Sequence, residues 1–157
     1  QAGYEWYEIS NWARPGAECR HNQAYWLDWD WWGAGPGAHS HLGDVRLWNT
    51  KHPVAWARQI STGHLPVAGH EVIDAGSREL ERIMLSIRLR EGIALASLSG
   101  PSDGPLDDVG ATPSHLVPVV AGLVADGLLD DGAASKGRAV LTLRGRLMAD
   151  TVTRALT

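Results

Sequence analysis

The aromatic residues of this chain are confined to its first part. All eight Trp and all three Tyr lie between Tyr4 and Trp56, there is no Phe, and six of the seven His lie between His21 and His70. Beyond residue 70 the chain is aliphatic and charged. This change predicts two domains, 1–66 and 67–157, with the boundary in the stretch 66–74.

The composition excludes several classes of protein. With 44% hydrophobic and 20% charged residues, the 157-residue chain can bury a core, unlike a disordered or collagen-like chain. Its apolar runs are too short for a membrane span, and Glu5 and Glu8 stand where a signal peptide would be apolar. A single Cys cannot form an internal disulfide, which indicates a reducing compartment, and we expect a cytoplasmic protein.

The charge distribution argues against a nucleic-acid partner. Lys and Arg number 4, 5 and 5 in residues 1–56, 57–105 and 106–157, against 6 Asp and Glu in each, which gives the net charge of −4. A duplex-binding surface must neutralise several phosphates at once, and no third of this chain is basic. We therefore expect no affinity for nucleic acid.

The second part has the pattern of a small helical domain. The apolar spacing predicts a helix over 78–90 that buries Leu80, Ile83, Met84 and Ile87 and ends at Gly92. After a flexible connection over 100–113, a second helix is predicted from the Thr112–Pro113 cap through Leu116, Val120, Leu123 and Val124 to Gly127.

A hairpin and a last helix complete that domain. Residues 128–129 and 139–143 are predicted strands around a polar turn at 130–137. The last helix begins at Thr142 or Leu143 and presents Leu147, Met148, Val152 and Leu156 on one side. This order of elements is typical of a winged-helix-like unit, so the predicted class is α+β. Because the unit has a net charge of −1, we interpret it as a packing or interaction module.

The first part contains a predicted strand, a short helix and a tryptophan cluster. Residues 4–9 are rich in β-formers and are followed by Asn11 and Pro15–Gly16, while 52–60 form a helix with Pro53 in its first turn. Trp26, Trp29, Trp31 and Trp32 occur at odd and even offsets, so they cannot all face one side of a strand. Some of them are therefore expected to be exposed or to line a cavity.

His21 is the first candidate for ligand chemistry. A neutral imidazole can bind haem iron, and Tyr25 lies four residues later, on the same face if the segment is helical. Tyr25 and Trp26 could supply the flat apolar walls that a porphyrin needs. The alternative is an ordinary hydrogen-bonded structural histidine.

Two further features of the first part have competing interpretations. Cys19-x-His21 and His39-x-His41 together offer four donors for zinc, although structural zinc sites usually use more cysteines and wider spacing. Gly33, Gly35, Gly37 and His39 belong to a glycine-rich loop that could approach a ligand closely or could simply form a tight turn. The loop is not a phosphate loop, because no Lys-Ser/Thr follows it and Pro36 lacks an amide donor.

Five motifs in the same order, the first made of two neighbouring segments, resemble a known family. YEISNWARPG at 7–16 and CRHNQAYW at 19–26 are similar to the signature of the HemW-like proteins, the haem-chaperone branch of the radical S-adenosylmethionine proteins related to oxygen-independent coproporphyrinogen III oxidases. GAGPGAHS at 33–40, Trp48–Asn49 with His52–Pro53, ELERIMLSIRL at 79–89 and LTLRGRLMAD at 141–150 continue the resemblance over essentially the whole chain.

The resemblance implies a role for residues of the HNxxYW element. It implies that His21, Asn22, Tyr25 and Trp26 bind haem, with His21 facing the iron, and that Gly33, Gly35, Gly37 and His39 form an active-site loop. It implies haem-accepting proteins as partners. In the family, a CxxxCxxC motif holds a [4Fe–4S] cluster that cleaves S-adenosylmethionine, and this chain lacks that motif. The chain thus resembles the C-terminal portion of a longer protein, with cluster and S-adenosylmethionine in the missing N-terminal part.

Three functions follow as hypotheses. The first is haem binding for delivery to haem proteins. The second is the C-terminal part of a coproporphyrinogen III oxidase in porphyrin biosynthesis, which the HNxxYW element disfavours. The third is a ligand-free interaction module. The resemblance also implies that 4–9 is the last strand of a radical S-adenosylmethionine barrel, and its free edge would favour self-association.

Overall fold

The computed structural model describes residues 2–98 and 111–157, which form a mixture of strands and helices. The strands are β1 Glu5–Glu8, β2 Asn11–Ala13, β3 His39–Leu42, β4 Val45–Asn49, β5 Val67–Val72, β6 Ile93–Ala94 and β7 Arg138–Ala139. The helices are α1 Arg20–Trp26, α2 Pro53–Ser61, α3 Ala75–Ser86, α4 Val117–Ala125, α5 Asp131–Ala134, α6 Leu143–Leu147 and α7 Ala149–Leu156. The predicted combination of helices and strands is confirmed.

The chain folds as two compact units. Unit 1 consists of residues 1–27 and 80–157, and unit 2 consists of residues 28–79. Helix α3 contains the junction between residues 79 and 80. The boundary expected at 66/67 falls inside unit 2, between α2 and β5, and the two-domain division stays a prediction about the longer protein.

The aliphatic core lies in unit 1. Its buried side chains come from α3, the turn Leu95–Leu98, α4, the 128–141 segment and α7, with Ile87, Leu95 and Val152 almost completely excluded from solvent. Burial of such side chains is the main favourable term in folding. The expectation that this part packs through aliphatic residues is therefore met by the observed cluster.

The strand predicted at 4–9 is present as β1, but it has partners. β2 pairs with it antiparallel, Trp6 opposite Trp12, so the chain turns back at Asn11 instead of leaving the strand alone. On the other side, Glu8 forms a bridge with Leu89, and the Arg90 amide donates to the Tyr7 carbonyl at 3.0 Å. The expected free edge is thus occupied at these residues, and self-association stays a prediction without that support.

The helix predicted at 78–90 is displaced toward the N-terminus. α3 begins at Ala75, because Asp74 caps it, and ends at Ser86, so Gly92 lies six residues beyond its end. Ile83 and Ile87 are buried as predicted, whereas Leu80 and Met84 are 47% and 37% exposed. Gly92 has another function: at φ +59° its missing Cβ would lie 1.9 Å from the Ala139 carbonyl oxygen.

The next helix is shorter than predicted, and the hairpin contains an extra helix. α4 begins after Leu116, not at the Thr112–Pro113 cap, and its chain turns at Gly127 as expected, with φ +69°. Residues 128–130 and 140–142 do pair, but the expected polar turn contains α5, and β7 pairs with β6. Most of the connection predicted at 100–113 lies outside the described residues.

The last predicted helix is divided in two. Thr142 caps α6 as expected, and its hydroxyl accepts a hydrogen bond from the Gly145 amide at 2.9 Å. The chain bends at Met148 before α7 begins, so Val152 and Leu156 are buried while Leu147 is 81% exposed. The predicted single apolar side is therefore wrong for Leu147 and Met148.

Unit 2 is built on an antiparallel sheet in the order β3-β4-β5. Ser40 lies opposite Leu47, and Leu47 lies opposite His70. The short helix predicted after His52 is confirmed as α2, which has Pro53 at its first position. In the described ranges 2–98 and 111–157, no helix combines the length and apolar composition needed to cross a membrane.

Candidate functional site

The HNxxYW element forms helix α1 in unit 1. His21 and Tyr25 lie four residues apart on the solvent-exposed face, with ring centroids 5.1 Å apart at an interplanar angle of 79°. The His21 Nε2 atom is 3.3 Å from the Tyr25 hydroxyl oxygen. The predicted neighbourhood of these two side chains on one helix face is therefore present.

Asn22 lies on a second, half-buried face of α1. Its amide nitrogen donates to the Glu8 carboxylate at 3.1 Å and approaches the Tyr7 hydroxyl oxygen at 3.3 Å. The Asn11 amide also donates to the Glu8 carboxylate, and the Ser10 backbone N–H lies 3.4 Å from it. Asn22 thus attaches α1 to the β1–β2 hairpin.

Glu8 is the residue at the centre of this network, and the sequence patterns did not single it out. Its side chain is only 1% exposed, and a carboxylate is stable there because amide donors surround it. The only available signal was the coincidence of Glu8, Asn11 and Asn22 within two motifs, since fourteen residues separate Glu8 from Asn22. Helix α1 therefore owes its position to a buried polar contact.

Trp26 ends α1 and is half-buried. Its indole Nε1 is buried without a hydrogen-bond acceptor among the described residues. Indole N–H groups usually find an acceptor when buried. Trp26 and Asn22 are four residues apart, so they lie on the same helix face and Trp26 is not beside the exposed His21 ring.

The glycine-rich loop lies in unit 2 and is closed by its own hydrogen bonds. The side chain of Asn49, 3% exposed, donates to the carbonyl oxygens of Gly33 and Gly35 at 3.2 and 2.9 Å. The Gly33 amide donates to Ser40 Oγ at 2.9 Å, and the Gly37 amide donates to the Thr50 carbonyl at 3.1 Å. These bonds explain the loop as a tight turn, and a role as an active-site loop stays a prediction.

Two of the loop glycines are required by the backbone. A Cβ on Gly33 would lie 1.9 Å from the His39 carbonyl oxygen, and Gly35 has φ +110°. His39 at the end of the loop is exposed, with its ring 6.1 Å from the Trp48 ring. The glycines therefore allow close contact within the chain itself.

His41 is in a different environment from His39, although both lie on β3. His41 is 4% exposed, and its ring is stacked on that of Trp31 with the ring centroids 6.4 Å apart. Its Nε2 atom lies 3.3 Å from Asp28 Oδ1. Arg78 approaches the same carboxylate at 3.8 Å. Among residues 2–98 and 111–157, no group of three or more His, Cys, Asp or Glu is arranged to hold a metal ion, so the zinc alternative has no donor set there.

A [4Fe–4S] cluster also has no donor set in this chain. Such clusters are held by several cysteine thiolates, and Cys19 is the single, exposed cysteine of the sequence. One thiolate cannot replace the several that the cluster needs, so the residues of this chain do not fit it.

Comparison with known proteins relates the chain to haem chaperones. It is 47% identical to "Heme chaperone HemW" of Mycobacterium tuberculosis over 155 residues, which is 99% of this chain and 35% of that protein. It is 32% identical over 104 residues to the mouse "Radical S-adenosyl methionine domain-containing protein 1, mitochondrial", covering 60% of this chain and 23% of that protein. No protein-family model matches.

A solved structure supports the fold. The coproporphyrinogen III oxidase HemN from Escherichia coli, described as a radical SAM enzyme, superimposes with a TM-score of 0.62 at 19% identity, covering 98% of this chain and 37% of that chain. The chain thus spans about a third of the length of the Mycobacterium tuberculosis and Escherichia coli proteins. Since the 47% identity extends over nearly all its residues, the chain belongs to the HemW-like proteins, of which it represents one portion.

Proposed function

We propose that this chain is the haem-binding C-terminal portion of a haem chaperone, with His21 as the residue that faces the iron. The observation that supports this most directly is the exposed His21 ring on α1, 3.3 Å from the Tyr25 hydroxyl, within the HNxxYW element. Relatives of the chain are named haem chaperones. Haem is the cargo in this proposal, and it is passed on to haem-accepting proteins.

The His21–Tyr25 contact suits a histidine ligand. Metal-binding histidines usually donate their second ring N–H to a neighbouring acceptor, which fixes the tautomer. When Nε2 holds the proton it donates to the Tyr25 hydroxyl, and the unprotonated Nδ1 is then the nitrogen that can bind iron. Tyr25, which is 41% exposed, also offers an aromatic surface to the porphyrin.

The buried network below α1 gives the site its rigidity. Asn22 is half-buried and engaged by Glu8 and Tyr7, so in this proposal it positions His21 rather than contacting iron. Trp26, which is half-buried on the same face, is the second positioning residue in this proposal. The four residues of the predicted haem site thus divide into an exposed pair and a positioning pair.

The proposal includes the arrangement of the longer protein. β1 would be the last strand of a radical S-adenosylmethionine barrel, and the elements after α3 would form a winged-helix-like domain. The cluster and S-adenosylmethionine would lie in the N-terminal part, so this portion alone would perform no radical chemistry. The likeness to the Escherichia coli oxidase supports the fold, and the names of the more similar relatives favour the chaperone over the oxidase.

Substitution of His21 tests this proposal. In the full-length protein, His21→Ala should abolish the Soret shift on adding ferric haem, while its iron–sulfur cluster absorption stays intact. His39→Ala is the matched control, because His39 is also an exposed histidine beside an aromatic ring but lies in unit 2.

Tyr25→Phe refines the test. It removes the hydroxyl that holds His21 and keeps the ring, so haem affinity should fall by roughly tenfold to a hundredfold without loss of the Soret band at saturating haem. Full haem affinity in His21→Ala, combined with loss of the band in His39→Ala, would overturn the assignment of the ligand. Absence of any Soret shift with the wild-type protein would overturn the proposed function.

A further inference from the structure

A pocket of about 330 Å³ opens on unit 1 beside α6 and α7. Three arginines contribute to its wall, Arg88, Arg146 and Arg154, together with a single carboxylate, Asp150. Its volume is near the lower end for ligand sites, so it can hold one part of a larger ligand. In a chain with a net charge of −4, this pocket is a local concentration of positive charge.

Two of the three arginines are not neutralised inside the pocket. Arg88 is engaged by Asp150 and by the Met84 carbonyl. Arg154 is exposed on the last turn of α7 and forms no ion pair within the described ranges. Arg146 likewise has no carboxylate partner there, and its Nε is buried without an acceptor.

Arg146 is held in place by aromatic rings instead of by an acid. Its guanidinium carbon lies 4.4 Å from the centroid of the Trp6 ring and 5.9 Å from that of Trp12. Stacking uses the faces of the planar guanidinium and leaves its in-plane N–H donors for a carboxylate. The β1–β2 hairpin thus presents a preorganised cation to the pocket.

Two large apolar side chains also line the pocket. Leu147 and Met148 are 81% and 45% exposed and both contribute to its lining. A carboxylate on a large apolar body matches this combination of arginines and apolar side chains. A free inorganic anion would gain nothing from Leu147 and Met148.

We propose that this pocket binds a propionate carboxylate of haem through Arg146 and Arg154. The inference rests on the proposed function and adds a second contact to it. Both sites depend on strand β1: Asn22 of α1 is bound to Glu8, and Arg146 is stacked on Trp6, two residues earlier. The hairpin therefore links the helix that presents His21 to the arginine that receives the propionate.

Arg154→Gln tests the pocket, with Arg144→Gln as its matched control. Arg144 is an exposed arginine of α6 that does not line the pocket. Soret titrations of the full-length protein are made with haem and with haem dimethyl ester, in which both propionates are esterified. Arg154→Gln should weaken haem binding by roughly threefold to tenfold, as expected for loss of one charged hydrogen bond near the surface.

The ester separates charge recognition from iron ligation. The ester should bind the wild type and Arg154→Gln equally. Arg144→Gln should resemble the wild type with both ligands. Haem itself, but not its ester, should bind more weakly at high salt. Equal haem affinity of wild type and Arg154→Gln, together with a salt-independent titration, would overturn this inference and leave the proposed function standing. A wild type without any Soret shift, with acid or ester, would overturn both.

Discussion

The two units of this molecule differ in what they bury. Unit 1 buries aliphatic side chains, among them Ile87, Leu95 and Val152, each at most 1% exposed. Unit 2 contains five of the eight tryptophans, from Trp29 to Trp56. None of these five is buried, and Trp29 and Trp32 are about half exposed. Ser40, His41 and Asn49 are its buried polar residues, and Ile73 is its one large buried aliphatic side chain.

The comparison teaches that an aromatic-rich segment need not contain the hydrophobic core. In unit 1, apolar burial supplies the stabilisation. In unit 2, hydrogen bonds from Asn49 and Ser40 fix the turn beside the sheet, and an aromatic surface stays accessible. Substitutions in the two units should therefore destabilise the protein by different mechanisms.

The largest effect is expected in the aliphatic core. Ile87→Ala removes a completely buried side chain and should lower the free energy of unfolding by about 2–5 kcal/mol. Trp32→Ala removes a larger side chain that is 55% exposed, and it should cost less than about 1 kcal/mol. Urea denaturation followed by circular dichroism compares the two, and an equal loss would mean that the aromatic segment is also core.

A smaller loss is expected at the buried carboxylate of unit 1. Glu8→Gln keeps the shape of the side chain, but its NH₂ group must face a donor in either orientation: the amides of Asn11 and Asn22 at one position, or the Ser10 N–H at the other. An unsatisfied buried pair of this kind costs about 1–3 kcal/mol. Glu18→Gln is the control on a more exposed carboxylate, and hydrogen exchange of α1 should rise in Glu8→Gln alone. Unchanged protection of α1 would contradict the anchoring role.

The equivalent change in unit 2 is expected at Asn49. Asn49→Ala leaves the Gly33 and Gly35 carbonyls without their donor, which should cost about 1–3 kcal/mol of local stability. Because the contacts are local to the turn, faster amide exchange should be confined to the loop and β3. A global loss of stability as large as that of Ile87→Ala would show that the turn, and not the aliphatic cluster, limits folding.

Local signals explain what the sequence could predict about these units. Pro53 and Thr142 mark helix starts through contacts within one turn, and both positions are confirmed. The exposure of Leu80 and Met84 could not be predicted, because helical periodicity identifies a face but not how far the neighbouring elements cover it. Helix α5 within the expected turn also could not be predicted. Its cap, Asp130, is a residue type that is equally common in loops.

In the candidate site, too, the sequence could predict local contacts but not contacts between distant residues. The His21–Tyr25 contact follows from a spacing of four residues on a helix. The Glu8–Asn22 hydrogen bond and the Arg146–Trp6 stack join residues that are far apart in sequence, so no spacing rule could indicate them. These non-local contacts determine which of the motif residues face solvent.

The smallest effect concerns two helix caps, one charged and one neutral. Asp74 caps α3 at the end of unit 2, and its pKa is lowered below the ordinary 3.8, first because the Ser77 hydroxyl donates to it at 2.7 Å and then because the Ser77 amide does so at 3.0 Å. Thr142 caps α6 in unit 1 with a hydroxyl that does not titrate in this range. The two caps therefore differ in their response to acid.

The pH dependence follows from the direction of that shift. Because the folded-state pKa of Asp74 is depressed, the stabilisation by this cap is fully present above the unfolded value and disappears as the pH falls through the folded value. Ser77→Ala should raise the pKa of Asp74 toward 3.8, as measured by NMR titration of its carboxyl carbon, and should increase amide exchange in the first turn of α3. Thr142→Ala should increase exchange in α6 by an amount that is the same at acidic and neutral pH, once the intrinsic pH dependence of exchange is divided out. An Asp74 titration that Ser77→Ala leaves unchanged would show that the hydroxyl contact is not formed in solution, and the contrast between the charged and the neutral cap would then disappear.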